Sequence, residues 1–340
     1  MKTVLFEEQG DPSVLQWIDY PDPILTPSQV IIDIKAAAMN HLDLWVRRGI
    51  PNAPLPMIPG SDGAGVISQI GDEVNDFNIG DRVVIQPLTY CGNCEACKNG
   101  QENFCQSFGI IGESELGTNS EKMAIDAKYV YKIPDNMDFE TAAAFPLVSE
   151  TAYTMLIHRA KMNRGETIFI WGASSGVGHI AIQIAKVFGC TVITSVGDAN
   201  KAEFAKSLGA DLVLNYRTQN IVDEVKKYTD GKGVDIVFEH VGTTTWDIST
   251  RILGLGGRIV TCGATTGAKV NIDLRHIFYK QQSIIGSTMG SVAAFKAMFA
   301  LVSEGKITPH IGKLFPMSQI VDAHNYLEQG NQIGKVVLLT

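Results

Sequence analysis

The sequence of 340 residues predicts a two-domain α/β protein that combines a β-rich, barrel-like domain with a doubly wound parallel sheet. Two observations predict this fold class. From residue 167 onward, short β-branched apolar runs alternate with helical patterns, as in a sheet built from βαβ units. Before residue 126, short strand patterns are separated by Pro and Gly, which favours a small barrel-like β domain. The length also suits two domains of roughly 100–200 residues each.

The β-rich domain is predicted to use both ends of the chain. Three strand patterns precede residue 126, at 30–36, 65–70 and 81–85. A helical pattern follows over 138–160, and the last strand, Lys335–Leu339, is expected to rejoin this domain. We therefore predict one domain from 1–147 with 289–340 and a second from 148–288.

Six strand patterns predict the parallel sheet, at 167–171, 191–196, 212–214, 236–241, 259–262 and 283–288. Between the first two strands, apolar residues recur at i, i+3, i+4, i+7, i+8 and i+11, which places them on one helix face: Val177, Ile180, Ala181, Ile184, Ala185 and Phe188. Gly189 is expected to close this helix. The stretch 166–201 is therefore a βαβ unit around which the domain is organised.

The turn that opens this helix predicts a phosphate site. Against the pattern G-x-G-x-x-G it reads Ala173-x-Ser175-x-x-Gly178, so only the last glycine is in place. A helix N-terminus offers free N–H groups and a positive dipole end to a pyrophosphate. The alternative is an ordinary strand–helix turn, but the βαβ context favours dinucleotide binding by Ser174, Ser175, Gly176, Val177 and Gly178.

Four of the six cysteines lie within fifteen residues, as Cys91-x2-Cys94-x2-Cys97-x7-Cys105. Four thiolates at this spacing are typical of a closed, tetrahedral structural zinc site. A set of disulfides is a poor interpretation, because the chain is long and the cysteines are too closely spaced to connect distant loops. An iron–sulfur cluster and a metal-free loop are the alternatives, although no Pro follows the fourth cysteine as in ferredoxins. Cys190 and Cys262 are interpreted as core residues.

Composition and charge exclude several classes of function. A net charge of −8 argues against nucleic acid or an anionic membrane as a partner. No apolar run approaches the roughly 18 residues of a transmembrane helix, and the N-terminus lacks the pattern of a signal peptide. We therefore expect a soluble, cytoplasmic protein.

Five motifs occur along the chain in the order found in one superfamily: Gly60-Ser61-Asp62-Gly63-Ala64-Gly65-Val66, the four cysteines, Ser149-Glu150-Thr151-Ala152-Tyr153, the glycine turn, and Gly334-Lys335-Val336-Val337. The chain resembles the medium-chain dehydrogenase/reductase superfamily, which includes the zinc alcohol dehydrogenases, over essentially its whole length. This resemblance implies a GroES-like catalytic domain, a Rossmann domain and one structural zinc per chain. It also implies a small-molecule substrate and a homodimer or homotetramer.

The sequence departs from the alcohol-oxidising members at their catalytic zinc. The positions of the three zinc ligands in those members fall here on Asn40, on Ser61-Asp62, and on Leu147 or, by another alignment, Phe145. Asparagine, serine and an apolar side chain do not make a zinc site, because zinc prefers thiolate, imidazole or carboxylate. Without that Lewis acid, nothing lowers the pKa of an alcohol or polarises an isolated ketone.

The pattern Asn40-x2-Asp43-x-Trp45-x-Arg47-x-Gly49 instead resembles the quinone oxidoreductase branch. Those enzymes, and the related enoyl-thioester reductases, pass hydride from NADPH to an alkene conjugated with a carbonyl. The developing enolate charge needs hydrogen-bond donors and not a metal. Asn40, Asp43 and Thr151 are therefore predicted as catalytic residues, with Asp43 as a loop brace in the alternative interpretation.

The cofactor is predicted to be NADP(H), with NAD(H) as the alternative. The acid that binds the ribose hydroxyls in NAD-specific folds is replaced by Val196. Lys201 and Tyr216 match the residues that hold the 2′-phosphate in the metal-free reductases, whereas Asp198 counts against a phosphate and Lys201 could simply be solvated. The other predicted cofactor contacts are His41, Thr151, Asp198, Val241, Gly263, Ser287 and Lys335. His41 is alternatively a proton donor.

Two further classes of function remain. A zinc- and cofactor-binding regulator, or a crystallin-like protein, would keep this fold without turnover. An alcohol dehydrogenase with a rebuilt metal site would differ in its metal content. Within the reductases, the sequence does not separate quinones from enals or from acyl-CoA thioesters such as acryloyl-CoA.

Overall fold

The computed structural model describes residues 1–51 and 53–340, which divide into two compact units. The first unit is Met1–Val148 with Gly290–Thr340, and the second is Ser149–Met289. Within these described residues, no helix has both the length and the apolar character needed to cross a membrane.

The first unit begins with strands β1 (Lys2–Leu5), β2 (Gln16–Asp19), β3 (Gln29–Met39), β4 (Asp62–Ile70), β5 (Arg82–Ile85), β6 (Leu88–Thr89), β7 (Gly109–Ile110), β8 (Lys122–Asp126) and β9 (Val130–Lys132). Its helices are α1 (His41–Gly49), α2 (Glu95–Lys98) and α3 (Phe139–Ala144), while α4 (Pro146–Tyr153) runs across the boundary and continues as a π-helical segment, Thr154–Arg159. Short 3-10 helices occupy Pro12–Val14, Glu102–Phe104, Ala127–Tyr129 and Met317–Gln319.

The second unit contains strands β10 (Thr167–Ile170), β11 (Thr191–Val196), β12 (Leu212–Asn215), β13 (Val234–Glu239), β14 (Leu253–Thr261) and β15 (Ser283–Gly286). Its helices are α5 (Gly176–Val187), α6 (Ala199–Ser207), α7 (Ile221–Tyr228), α8 (Trp246–Ile252) and α9 (Leu274–Tyr279). The chain then returns to the first unit with α10 (Val292–Ser303), β16 (Ile311–Pro316), α11 (Ile320–Glu328) and β17 (Lys335–Leu339).

The six strands of the second unit form one parallel sheet in the order β12-β11-β10-β13-β14-β15. Across the sheet, the strand numbers fall from β12 to β10 and then rise from β13 to β15, as in a doubly wound dinucleotide-binding sheet. The predicted fold class is therefore confirmed. Because the carboxyl ends of all six strands meet at one edge, the turns after β10, β11 and β13 lie along that edge.

Several details differ from the sequence prediction. The strand predicted over 259–262 is the longer β14, Leu253–Thr261. The strand predicted over 236–241 is Val234–Glu239, because the N–H of Val241 donates to the Glu239 carboxylate (2.6 Å) and leaves the ladder. The strand predicted over 283–288 ends at Gly286. Phe188 is exposed and does not extend the buried helix face, because α5 ends at Val187 and Phe188 is its C-cap.

The first unit is organised around a seven-stranded sheet with the order β16-β17-β3-β4-β5-β9, while β8 pairs with β3. The last strand joins this sheet as predicted, with β17 antiparallel to β3 and Val336 opposite Met39. Its core is a cluster of apolar side chains from these strands and from α1 and α11, including Ile32, Leu44 and Leu338. The long strand β3 therefore lies at the centre of the unit.

An ion pair connects the helices that flank this sheet. Arg47 of α1 is 1% exposed, and its guanidinium contacts the carboxylate of Glu328 on α11. Arg48 contacts the same carboxylate at 2.9 Å. Since α1 begins after β3 and α11 precedes β17, this pair braces the two segments that carry Asn40 and Lys335.

Candidate functional site

Asn40, Asp62 and Lys335 form a buried polar network in the first unit. The Lys335 ammonium donates to Asn40 Oδ1 (2.6 Å) and to Asp62 Oδ2 (3.2 Å). The Asn40 amide donates to the same Asp62 oxygen at 2.9 Å. All three side chains are at most 5% exposed. The network exists because β3 lies between β4 and β17 and brings the ends of the three segments together.

Asp43 lies next to this network and braces the chain around it. Its carboxylate accepts from the backbone N–H groups of Asn40 (2.6 Å) and Gly60 (3.2 Å). The first of these bonds closes the N-terminus of α1, and the second fixes the segment that leads to Asp62. Burial raises the pKa of Asp43 to about 6, and the positive charge of Lys335 opposes that shift. Both oxygens of Asp43 thus accept from backbone N–H groups, and the catalytic role predicted for this residue stays a prediction.

The donor groups at the positions of the catalytic zinc ligands do not fit a metal ion. Asp62 supplies the one carboxylate, and its oxygens already accept from Asn40, from Lys335 and from the backbone N–H of Leu147 (2.9 Å). The other groups at these positions are the amide of Asn40, the Ser61 hydroxyl and the apolar side chain of Leu147 or Phe145, none of which zinc prefers. The positive charge that contacts Asp62 is the ammonium of the Lys335 side chain and not a metal ion.

His41 begins α1 directly after Asn40. Its ring is half-buried and packs edge-on against Trp45, with 5.4 Å between ring centroids. Its predicted contact with a cofactor phosphate stays a prediction.

The glycine turn of the second unit has the geometry of a phosphate cradle. Ser175 is the N-cap of α5, where its hydroxyl accepts from the N–H of Gly178 at 2.9 Å. A side chain at position 178 would collide with the carbonyl of Gly172, so glycine is required there for close helix–strand packing. Gly172 itself has a φ of +63°, which glycine adopts without strain. Small residues thus keep the backbone N–H groups of Gly176 and Val177 at the helix N-terminus accessible.

The turn after β11 carries the residues predicted to select the cofactor. Asp198 is the N-cap of α6, and its carboxylate accepts from the backbone N–H of Lys201 at 2.9 Å. Gly197 leaves room for Tyr216 and Arg217, because a Cβ there would lie 2.5 Å from the Tyr216 hydroxyl and 3.3 Å from Arg217 Nε. Arg217 is a cation that the sequence prediction did not include among the site residues.

Two predicted cofactor residues of the second unit keep buried hydroxyls without a partner. Thr151 is 7% exposed, and neither its Oγ1 nor the Oγ of Ser287 has a hydrogen-bond partner among the described residues. Each hydroxyl can therefore donate to a ligand or to water. Val241 and Gly263 follow β13 and β14 at the carboxyl edge of the sheet, and their contact with a cofactor stays a prediction.

The structure also places together groups that the sequence prediction missed. Asp62 was considered only as a zinc position, yet it is the anion that holds Asn40 and Lys335. Glu239 is fully buried and accepts from the Val241 N–H and from the hydroxyl of Thr245 at 2.7 Å. A sequence signal for Glu239 was available, because it is a charged residue at the end of the largely apolar strand Val234–Glu239. Such a residue is buried only when its charge is hydrogen-bonded or paired.

The four cysteines of the loop after β6 converge on one point. Their sulfur atoms all lie within 4.8 Å of one another. The closest pairs are Cys94–Cys97 and Cys91–Cys105, both at 3.5 Å, and Cys91–Cys97 is at 3.9 Å. A tetrahedron with Zn–S bonds of about 2.3 Å separates its sulfurs by about 3.8 Å. The arrangement therefore fits a zinc ion, and no other group of three or more metal-binding side chains converges in the described parts of the chain.

Comparisons with known proteins agree on the family. Residues 26–135 match the model of the alcohol dehydrogenase GroES-like domain, and residues 176–304 match that of zinc-binding dehydrogenases. Human quinone oxidoreductase is 32% identical over 100% of this chain and 98% of its own length. Acryloyl-coenzyme A reductase of Sulfurisphaera tokodaii is 30% identical over 94% of this chain and 95% of its own. A solved structure of an NAD-dependent alcohol dehydrogenase superposes with a TM-score of 0.97 at 39% identity, covering 100% of both chains.

Proposed function

Because the chain belongs to the medium-chain dehydrogenase/reductase superfamily, we propose that it is an NADP(H)-dependent reductase of a C=C bond conjugated to a carbonyl, or of a quinone. The reaction would proceed without a catalytic zinc. When bound, the cofactor supplies a hydride to the β-carbon of the acceptor. The relatives named quinone oxidoreductase and acryloyl-coenzyme A reductase support this type of reaction.

The observation that carries the proposal is the Asn40–Asp62–Lys335 network. It replaces the ligands of a catalytic metal with an internal ion pair, so that the fixed positive charge belongs to the side chain of Lys335. A buried cation and neighbouring N–H donors stabilise the oxyanion of an enolate or a reduced quinone. They lack the direct coordination by which a bound metal ion strongly lowers the pKa of an alcohol.

The residues of this network have distinct tasks in the proposed reaction. Lys335 uses two of its three N–H groups for Asn40 and Asp62 in the described structure, which leaves one donor for an oxyanion. Asp62 orients that ammonium, and Asp43 holds the backbone of Asn40. A proton from solvent or from a side chain completes the α-carbon.

We expect Asn40→Ala to slow turnover. In the wild type, the side-chain amide of Asn40 also donates to the Ala38 carbonyl at 3.5 Å. This bond is weak, so an oxyanion can replace the carbonyl as its acceptor. Losing an oxyanion donor typically costs about 2.7–4 kcal/mol, so kcat should fall by roughly 100-fold or more. Steady-state kinetics with an enone check this prediction. Asn75→Ala is the control, because Asn75 is an exposed residue of the same unit and its side chain donates to the carbonyl of Glu73; this variant should keep its kcat. A kcat of Asn40→Ala as high as that of the control would contradict a specific role of Asn40.

NADP(H) is proposed as the cofactor because β11 ends in Val196 and because the carboxylate of Asp198 is engaged at the N-terminus of α6. A 2′-phosphate would then be held by Lys201, Tyr216 and Arg217. Since a hydrogen bond to a charged group contributes about 1.5–3 kcal/mol, Lys201→Ala should raise the KM for NADPH by roughly 10-fold or more. The KM for NADH should not change.

Lys206→Ala in the last turn of the same helix is the matched control and should change neither KM. A wild-type kcat/KM that is higher for NADH, or an unchanged KM for NADPH in Lys201→Ala, would contradict NADP(H) specificity.

The reaction is tested by a screen of NADPH and NADH oxidation with quinones, enals, enoyl-CoA thioesters and simple aldehydes. For an enone or enoyl thioester, deuterium from 4-deuterated NADPH should appear at the β-carbon and solvent deuterium at the α-carbon. Activity with conjugated acceptors and little with alcohols is expected. Alcohol oxidation that responds to added zinc, with no turnover of any conjugated acceptor, would overturn the proposal.

Alcohol dehydrogenase is the second candidate function. It is favoured by the solved structure of an NAD-dependent alcohol dehydrogenase, which is 39% identical over the whole chain. This candidate requires a second metal ion per chain, held by donors other than those around Asn40. Elemental analysis of the purified protein therefore distinguishes the two functions.

We also propose one structural zinc per chain, bound by Cys91, Cys94, Cys97 and Cys105. The Cys105 sulfur accepts from the backbone N–H groups of Cys91 (3.5 Å) and Ser107 (3.3 Å), which fix its position in the cluster. The predicted homodimer or homotetramer stays a prediction. Sedimentation of a Phe278→Glu variant would test it, because Phe278 and Tyr279 of α9 are 68% and 81% exposed.

A further inference from the structure

His240 is a titratable residue at the point where the sheet of the second unit reverses its strand order. It directly follows β13, and β13 pairs with β10, whose carboxyl end leads into the glycine turn. In open parallel sheets, ligands bind outside the carboxyl ends of the strands at this reversal. The side chain of His240 therefore stands where a dinucleotide is expected, although the sequence prediction gave it no role.

The imidazole of His240 contacts both ends of the glycine turn. Its Nε2 lies 2.9 Å from the carbonyl oxygen of Trp171 and 3.5 Å from the hydroxyl of Ser175. Its Cε1 lies 3.0 Å from where a Cβ at Gly172 would be. Because a carbonyl only accepts, Nε2 carries the proton that is donated to Trp171. Nδ1 is then the basic nitrogen of the neutral ring.

The electrostatic surroundings favour the neutral ring before a ligand binds. Burial lowers the pKa of His240, while the Trp171 carbonyl and the Glu239 carboxylate oppose that shift. The titratable groups on the neighbouring elements are Glu239 on β13 and Cys262 after β14. Glu239 is engaged by Val241, Gly242, Thr245 and Ser249, and burial raises the pKa of the Cys262 thiol to about 12, so that it stays neutral.

A pyrophosphate at the N-terminus of α5 would add negative charge beside this ring. A nearby opposite charge favours the protonated form of histidine. We propose that His240 is a cofactor-binding residue whose imidazole takes up a proton when the pyrophosphate of the dinucleotide binds at the glycine turn. The inference rests on the proposed function in one respect, the binding of a nicotinamide dinucleotide at this turn.

The consequence is a cofactor affinity that depends on pH. A binding reaction that takes up one proton gains about tenfold in affinity for each unit by which the pH falls. Because burial lowers the pKa of His240 in the free protein and a bound anion raises it, this dependence is expected at pH values between the pKa of the free protein and that of the complex, and the affinity falls as the pH rises through that interval. Fractional uptake gives a proportionally smaller slope.

The test is isothermal titration calorimetry of the full-length protein with NADPH at about pH 7. Buffers of different ionisation enthalpy report the number of protons taken up on binding. His240→Gln is the matched variant, because its amide can donate to the Trp171 carbonyl but does not titrate. The 2′-phosphate of NADPH contributes equally in both proteins, so the difference between them isolates His240.

We expect the wild type to take up more protons than His240→Gln and its affinity to rise more steeply as the pH falls. His240→Asn, with thermal unfolding of all three proteins, guards against misfolding of a single variant. Equal proton uptake by wild type and folded variants that all bind NADPH would overturn this inference alone. Absence of NADPH and NADH binding by the wild type would overturn both the proposed function and this inference.

Discussion

A Cys97→Ser variant is expected to lose its zinc and much of its thermal stability. Cys97 Sγ lies 3.5 Å from the sulfur of Cys94 and 3.9 Å from that of Cys91, so its loss opens the site at the centre of the loop. Structural zinc contributes roughly 10–16 kcal/mol of binding free energy in zinc-finger peptides. Only part of that is expected here, because the rest of the first unit has its own core.

The destabilisation should reach beyond the loop. Glu102, which lies between Cys97 and Cys105 in the chain, is 8% exposed and accepts from the backbone N–H of Val292 at 3.1 Å. This bond connects the zinc loop to the N-terminus of α10. Loss of zinc is therefore expected to lower the unfolding temperature of the first unit by several degrees or more.

Elemental analysis and differential scanning calorimetry measure the two effects. The wild type should contain one zinc per chain, and Cys97→Ser close to none. Cys262→Ser is the matched control, because Cys262 lies outside the cluster and should leave the zinc content unchanged. Two tightly bound zinc ions per wild-type chain, or full zinc retention after all four cysteines are changed to Ser, would contradict the assignment.

Lys335→Met is expected to have the second large effect, on both stability and turnover. The substitution leaves the carboxylate of Asp62, which is 0% exposed, without its positive partner. Breaking a buried ion pair in this way typically costs about 3–5 kcal/mol. If the ammonium also stabilises the oxyanion, kcat/KM with a conjugated acceptor should fall by roughly 100-fold or more.

A double variant separates these two effects. Lys335→Met combined with Asp62→Asn removes both charges, so the free energy of unfolding should recover most of its loss. Turnover should stay low, because the positive charge is still missing. Lys335→Arg keeps the charge and should retain more activity than Lys335→Met. Full activity in the double variant would contradict the catalytic role of Lys335 and leave it a purely structural residue.

Features that depend on local patterns can be predicted from the sequence alone. The parallel sheet follows from β-branched runs that alternate with a 3.6-residue apolar period, as in β10 and α5. The cysteine cluster can be predicted from spacing alone, because four cysteines within fifteen residues are close enough in the chain for one short loop to bring their sulfur atoms together. Even there, the end of β13 was predicted two residues late, since the pattern does not reveal that Glu239 binds the next N–H groups.

The side chains that meet at the candidate site could not be predicted from local patterns, because they are far apart in the chain. Asn40 and Lys335 are 295 residues apart in the chain, and Asp62 and Lys335 are 273 apart. Their contact depends on the register of β17 against β3, with Val336 opposite Met39, and on β4 lying on the other side of β3. A strand pattern shows which residues share a face but not which partner strand or register they choose, because that choice is made by packing across the whole sheet. His240 could not be predicted as a site residue for the same reason, because it contacts the glycine turn that follows the neighbouring strand β10.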